Sequence, residues 1–143
     1  MRKTICLVAF LALLLSNALF ACECQYYESL EVKFAKMDAV FVGRVTKVGP
    51  LKNSADNYDV TFEIEKLYKG VNGKAVVVSL PAPGAANCNV GLLAENTRYL
   101  VYATLIPNGK LAASMCSGVY ESSGNWYKHD VEALDALVAP AQK

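Results

Sequence analysis

Cys22 and Cys24 stand one residue apart in Ala21-Cys22-Glu23-Cys24-Gln25, and Cys88 and Cys116 follow far along the chain. Thiols placed this closely suggest metal ligation, thiol–disulfide exchange or structural cross-linking. A redox dithiol needs an exposed thiolate of low pKa, usually in Cys-x-x-Cys on a thioredoxin-like βαβ scaffold, and the chain contains no Cys-x-x-Cys. The single histidine, His129, cannot complete a zinc site with oxidised cysteines, because disulfide sulfur is not a thiolate ligand. Cross-linking remains. Four cysteines allow three pairings, and Cys22–Cys24 is the least favourable, since near neighbours distort disulfide geometry. Both N-terminal cysteines are therefore expected to reach across the chain, to Cys88 and Cys116. Each long loop adds about 4 kcal/mol through the unfolded state.

The other polar residues offer little catalytic chemistry. His129 has no nucleophile partner in view and is expected to face solvent. Glu63 and Glu65 fall on one strand face and read as solvated. Gly70-Val71-Asn72-Gly73-Lys74 lacks the spacing of a phosphate-binding loop. Tyr26, Tyr27, Tyr99 and Tyr102 read as core and hairpin packing, since no basic groove accompanies them. Lys and Arg number 14 against 13 Asp and Glu, a balance that gives no support to nucleic-acid binding or electrostatic docking on membranes. No cofactor is expected, and the chain is expected to act by binding, not by catalysis.

The first residues suggest where it acts. Arg2 and Lys3 precede an unbroken apolar run, ICLVAFLALLL, and small and polar residues follow up to Ala21. That is the layout of a secretory signal peptide, and the run is too short for an ordinary membrane span. Two cuts fit. Cleavage after Ser16-Asn17-Ala18 leaves Leu19 first, and cleavage after Ala21 leaves Cys22 first. Leu19-Phe20-Ala21-Cys22 also resembles a bacterial lipobox, in which Cys22 is lipidated. With Cys22 first, residues 1–21 are the signal and carry Cys6 away. Residues 22–143 then form one domain, whose modest core cross-links would reinforce. The expected setting is extracellular or periplasmic, with a membrane partner only if Cys22 carries lipid.

The elements that position the cysteines can be read from periodicity. Tyr27, Leu30, Phe34 and Met37 recur at three- and four-residue spacing, which predicts an amphipathic helix over about 27–37. Ala39–Val48 reads as a strand, and 51–57 as a loop. Tyr58, Val60, Phe62 and Ile64 alternate with Asp59, Thr61, Glu63 and Glu65 as a half-buried strand. Strands are also expected over 74–80 and 98–106, with Pro107-Asn108-Gly109 turning the chain into a return strand over 110–116. After a loop over 117–124, Asp130 is placed to cap a short helix with Val131, Leu134 and Leu137 inward. Five antiparallel strands must hide their edges, and a small closed OB-like barrel does so; a two-sheet sandwich is the alternative.

Set in this order, the residues resemble a known family. Cys22-Glu23-Cys24, then a helix, then Asp38-Ala39-Val40-Phe41-Val42-Gly43-Arg44-Val45, precede Ala86-Asn87-Cys88-Asn89-Val90-Gly91-Leu92. Tyr99-Leu100-Val101-Tyr102 then leads to Asn108-Gly109-Lys110 and Cys116. The whole, over about 22–120, resembles the N-terminal, netrin-like OB-fold domain of the tissue inhibitors of metalloproteinases, and most closely the single-domain bacterial members. The resemblance implies the disulfides Cys22–Cys88 and Cys24–Cys116. It implies an inhibitory wedge of Cys22, Glu23, Cys24, Gln25 and Tyr26 with Ala86, Asn87 and Cys88. The partner would be a zinc metalloendopeptidase, whose zinc is chelated by the amino nitrogen and carbonyl oxygen of Cys22 while the second side chain enters the specificity pocket. A catalytic zinc keeps one position open, and an α-amine of ordinary pKa is deprotonated by zinc at modest cost. At that second position the chain carries Glu23, a carboxylate costly to bury without a partner, and Phe34 stands about where the family has a further cysteine. The alternative reading is a lipid-anchored or periplasmic module that uses the barrel to bind protein or glycan. An oxidoreductase using Cys22 and Cys24 is a third.

Overall fold

A computed structural model describes residues 24, 27, 29–51, 57–83 and 90–140. Its elements in chain order are α1 (Leu30–Lys36), β1 (Ala39–Val48), β2 (Asn57–Lys69), β3 (Ala75–Pro81), β4 (Arg98–Leu105), β5 (Leu111–Ala112), β6 (Val119–Glu121) and α2 (Asn125–Val138). The strands run in the order β1-β2-β3-β5-β4, and β4 pairs back onto β1. β3 and β5 are parallel, and the other pairings are antiparallel. The result is a closed five-stranded mixed barrel of OB-like form, so no barrel strand is left with an unpaired edge along its whole length. The short β6 adds to β4 beside β5, pairing Val101 with Val119.

β1 pairs on both edges and must curve to do so. Its register with β2 slips at three places, between Val40 and Phe41, Val42 and Gly43, and Val45 and Lys47, as expected of bulges that bend a barrel strand. Gly43 lies at the second of these slips. A Cβ there would stand 3.1 Å from the Glu63 carbonyl oxygen, the Phe41 ring and the Phe62 Cβ. Arg44 and Arg98 lie directly opposite each other on β1 and β4, a repulsive cross-strand pair. Glu65 of β2 reconciles them, accepting from Arg98 Nε and standing 2.7 Å from Arg44 Nη2. The Arg98 hydrogen bond, seconded by Arg44, holds its carboxyl below the usual glutamate range.

Two apolar clusters result. The barrel interior holds Phe41, Val45, Tyr58, Val60, Phe62, Val78, Leu80 and Val101. The Phe41 and Phe62 rings meet edge to face with centroids 5.6 Å apart. The second cluster lies outside the barrel, where α1 and α2 cover β1 and β4 with Met37, Val40, Val42, Leu100, Tyr102 and Leu134. β2 outruns β3, and its tail carries both helices. Lys69 Nζ donates to the Phe34 and Ala35 carbonyls at the end of α1. Tyr68 donates to Asp135 of α2 at 2.7 Å, and Lys66 pairs with the same carboxylate.

Several boundaries differ from the sequence-based expectation. α1 begins at Leu30 because Ser29 caps it, accepting from the Val32 amide. The return strand after the 107–109 turn shrinks to Leu111–Ala112, and the expected 117–124 loop contains β6. Asp130 is no cap. α2 starts five residues earlier, after Gly124, and is a full 14-residue helix with Asp130 buried in its middle. Leu137, expected inward, is 38% exposed, as is the whole end of the helix from Ala136 on.

Phe62→Ala removes a wholly buried ring from the centre of the barrel. A loss of about 3–5 kcal/mol in unfolding free energy is expected from chemical denaturation of the variant.

Candidate functional site

Cys24 is disulfide-bonded to Cys116, 92 residues away. In this structure the Cys24 sulfur is committed to Cys116. Cys116 is held by a tight turn. The Ser114 amide donates to Ser117 Oγ at 2.9 Å, Ser117 Oγ donates to the Ser114 carbonyl at 3.1 Å, and the Gly118 amide donates to the same carbonyl at 3.0 Å. The Gly118 carbonyl then accepts from the Tyr102 amide of β4 at 2.9 Å. The turn is fastened to the barrel, and through the disulfide so is Cys24.

A buried charged cluster lies beneath this turn. Lys33 of α1 points inward, and its Nζ donates to Tyr120 Oη at 3.1 Å and sits 3.7 Å from the centroid of the Tyr102 ring. Asp130 of α2 places Oδ2 3.9 Å from the same Nζ. That is an ion-pair distance but too long for a hydrogen bond. Asp130 is satisfied instead by Tyr102, whose hydroxyl donates to Oδ2 at 2.8 Å, and by His129 Nδ1 at 3.1 Å from Oδ1. Burial lowers the Lys33 pKa, and Asp130 offsets part of the fall. Burial, with Asp130 as the second cause, raises those of Tyr102 and Tyr120. Gly118 makes the close packing possible. Its φ is +112°, and a Cβ would stand 2.9 Å from Lys33 Nζ and 3.0 Å from the Tyr102 ring.

Above the cluster is an open cleft of about 600 Å³ between the Cys24–Cys116 bond and the facing sides of α1 and α2. Tyr27, Leu30 and Trp126 form apolar walls, and Lys33 and Asp130 line its floor. Trp126 is 68% exposed, an unusual position for the largest apolar side chain in the molecule. The cleft thus combines aromatic walls, a floor of paired opposite charges and a disulfide rim.

Of the residues expected to form a wedge, Cys24 belongs to this rim. Cys22, Glu23, Gln25, Tyr26, Ala86, Asn87 and Cys88 lie outside the described residues, and so does the Cys22–Cys88 pairing. His129 faces solvent, as expected, yet touches Asp130 at the cleft. Tyr99 and Tyr102 are core residues, as expected. Lys33 and Asp130 were not singled out from the sequence as a pair. The available signal was a charge at an inward helical position on each helix, Lys33 three residues after Leu30 and Asp130 four before Leu134.

Asp130→Ala strips the buried lysine of its counter-charge and is expected to cost about 3–5 kcal/mol in denaturant unfolding, while the double variant Lys33→Met/Asp130→Leu regains most of that loss. Alkaline titration gives a second test. Tyr68, Tyr102 and Tyr120 are held above the ordinary tyrosine value of 10.0, mainly by burial. The folded chain keeps protons that the unfolded chain releases, so stability falls as pH rises past about 10. Lys33 has the opposite sign, adding stability as pH approaches its unfolded value of 10.5. With more tyrosines than lysines involved, tyrosinate absorbance is expected to rise together with loss of circular dichroism in one cooperative step above pH 10.

Set against known proteins, the chain matches no family model and no curated protein.

Proposed function

We propose that this chain is an exported binding protein that inhibits a zinc metalloendopeptidase through the amine and carbonyl of Cys22, within a wedge of Cys22, Glu23, Cys24, Gln25 and Tyr26. The observation that carries this reading is the Cys24–Cys116 bond, one of the two pairings implied by the resemblance to the tissue inhibitors of metalloproteinases. The OB-like barrel supports it, and a long-range disulfide suits an oxidising compartment. Cys22 is two residues from the anchored Cys24, about 7 Å of chain at most. A tether this short to a disulfide-anchored residue would lower the ordering entropy of binding, which is what a chelating wedge needs. Glu23 follows the chelating residue, so the target pocket is one that offers a cation or water to a carboxylate. Ala86, Asn87 and Cys88 would supply the second edge of the wedge.

The test is inhibition of a panel of zinc metalloendopeptidases by the processed protein before and after selective acetylation of the Cys22 amine. Intact mass first establishes that this amine is free. Acetylation is expected to weaken inhibition roughly a hundredfold or more, about 2.7 kcal/mol. Inhibition that survives acetylation unchanged, or a panel with no inhibited member, would sink the proposal.

A further inference from the structure

The chain has two Asn-Gly pairs, Asn72-Gly73 between β2 and β3 and Asn108-Gly109 between β4 and β5. All four residues are exposed. Asn-Gly is a favoured turn dipeptide, and it is also where an asparagine side chain meets a backbone nitrogen unshielded by a neighbouring side chain. The two pairs differ in what holds them. At the second, the Gly109 amide donates to the Ile106 carbonyl at 2.9 Å, and Asn108 Oδ1 accepts from the Lys110 amide at 3.0 Å. The Lys110 carbonyl in turn accepts from Ile106, and Lys110 Nζ is 2.9 Å from Asp59. The nucleophilic nitrogen and the side-chain amide are both engaged, and the turn around them is closed. At the first pair, among the described residues, the Gly73 amide and the Asn72 side chain have no hydrogen-bond partner. The space around Gly73 is open as well: a Cβ there would meet only the Ala75 carbonyl oxygen, at 4.0 Å.

We infer that Asn72 is a site of spontaneous deamidation, selective over Asn108 because of this difference in hydrogen bonding. The Gly73 amide nitrogen, giving up its proton to solvent base, attacks Cγ of Asn72. The bond from Cγ to the side-chain nitrogen breaks, and ammonia leaves. The cyclic imide then takes up one water and opens at either carbonyl, giving aspartate or isoaspartate. No oxidant, reductant or enzyme is needed. The product adds a negative charge to a chain whose formal net charge is only +1. It also places that charge, or an extra backbone carbon, in the turn that carries Val71, which packs against the barrel interior.

The experiment incubates the folded protein at mildly alkaline pH and maps both peptides by mass spectrometry, with enzymatic methyl labelling of isoaspartate as a second readout. Asn72 is expected to convert several-fold faster than Asn108. In denaturant the two rates should converge, since only the fold distinguishes them. Asn72→Ser should remove the acidic species that accumulates on ion exchange. Equal native rates, a faster Asn108, or no conversion at Asn72 in the time the denatured chain converts would each overturn the inference.

Discussion

A lysine ammonium taken out of water must be compensated from several sides, and at Lys33 the compensation comes from three other elements. Tyr102 of β4 offers a ring face, Tyr120 of β6 an oxygen, and Asp130 of α2 a charge. None of these would suffice alone, because a buried ion loses several kcal/mol of hydration and an imperfect partner returns only part of it. The three can act together only if α1 lies against α2 and both lie on the β4 side of the barrel. The charge therefore acts as a specification. A packing in which either helix slid by a turn would leave an ion stranded, whereas an all-apolar interface would tolerate the slip.

The barrel supplies the surface on which this can happen. β1 is curved enough to pair with β2 on one edge and β4 on the other, and that curvature depends on its bulges and on Gly43. Closure places Tyr102 and Leu100 on the outer face of β4, where the helices cover them. The tail of β2 then fixes the helices from the far side: Lys69 completes the orphan carbonyls of α1, and Tyr68 and Lys66 share Asp135 of α2. Both helices are thus bound at two separated points, which defines the cleft between them.

Much of the barrel is legible in the sequence, for physical reasons. Tyr58 to Glu65 alternates strictly, so its two faces declare themselves, and Ala39–Val48 is rich enough in β-branched residues to be a strand in almost any context. What escaped was decided by long-range partners. β6 is three residues long and exists because β4 offers it an edge. The first turn of α2, with Asn125, Lys128 and His129, carries little apolar periodicity and is held by Tyr127, which packs on the helix-covered cluster, and by the Gly124 carbonyl, which accepts from the Lys128 amide. Asp130 looked like a cap because aspartate favours that role when local sequence alone is weighed. Its actual role depends on a lysine 97 positions earlier in the chain, Lys33, and no local rule connects the two. The cysteine pairing lies between these extremes: its long reach could be argued from geometry, and its partner only from resemblance.

The Cys24–Cys116 bond encloses α1 and the five barrel strands in one covalent loop and leaves β6 and α2 outside it. Tension applied between Cys24 and the C-terminus therefore does not pass through the barrel. It crosses the disulfide into the Ser114–Gly118 turn and continues along β6 and α2. Under mechanical load those two elements and the hydroxyl-braced turn are the parts that can give way, while the strands of the barrel remain unstretched. A partner pulling on the end of the chain beside Cys24 would strain the cleft and leave the body of the molecule intact.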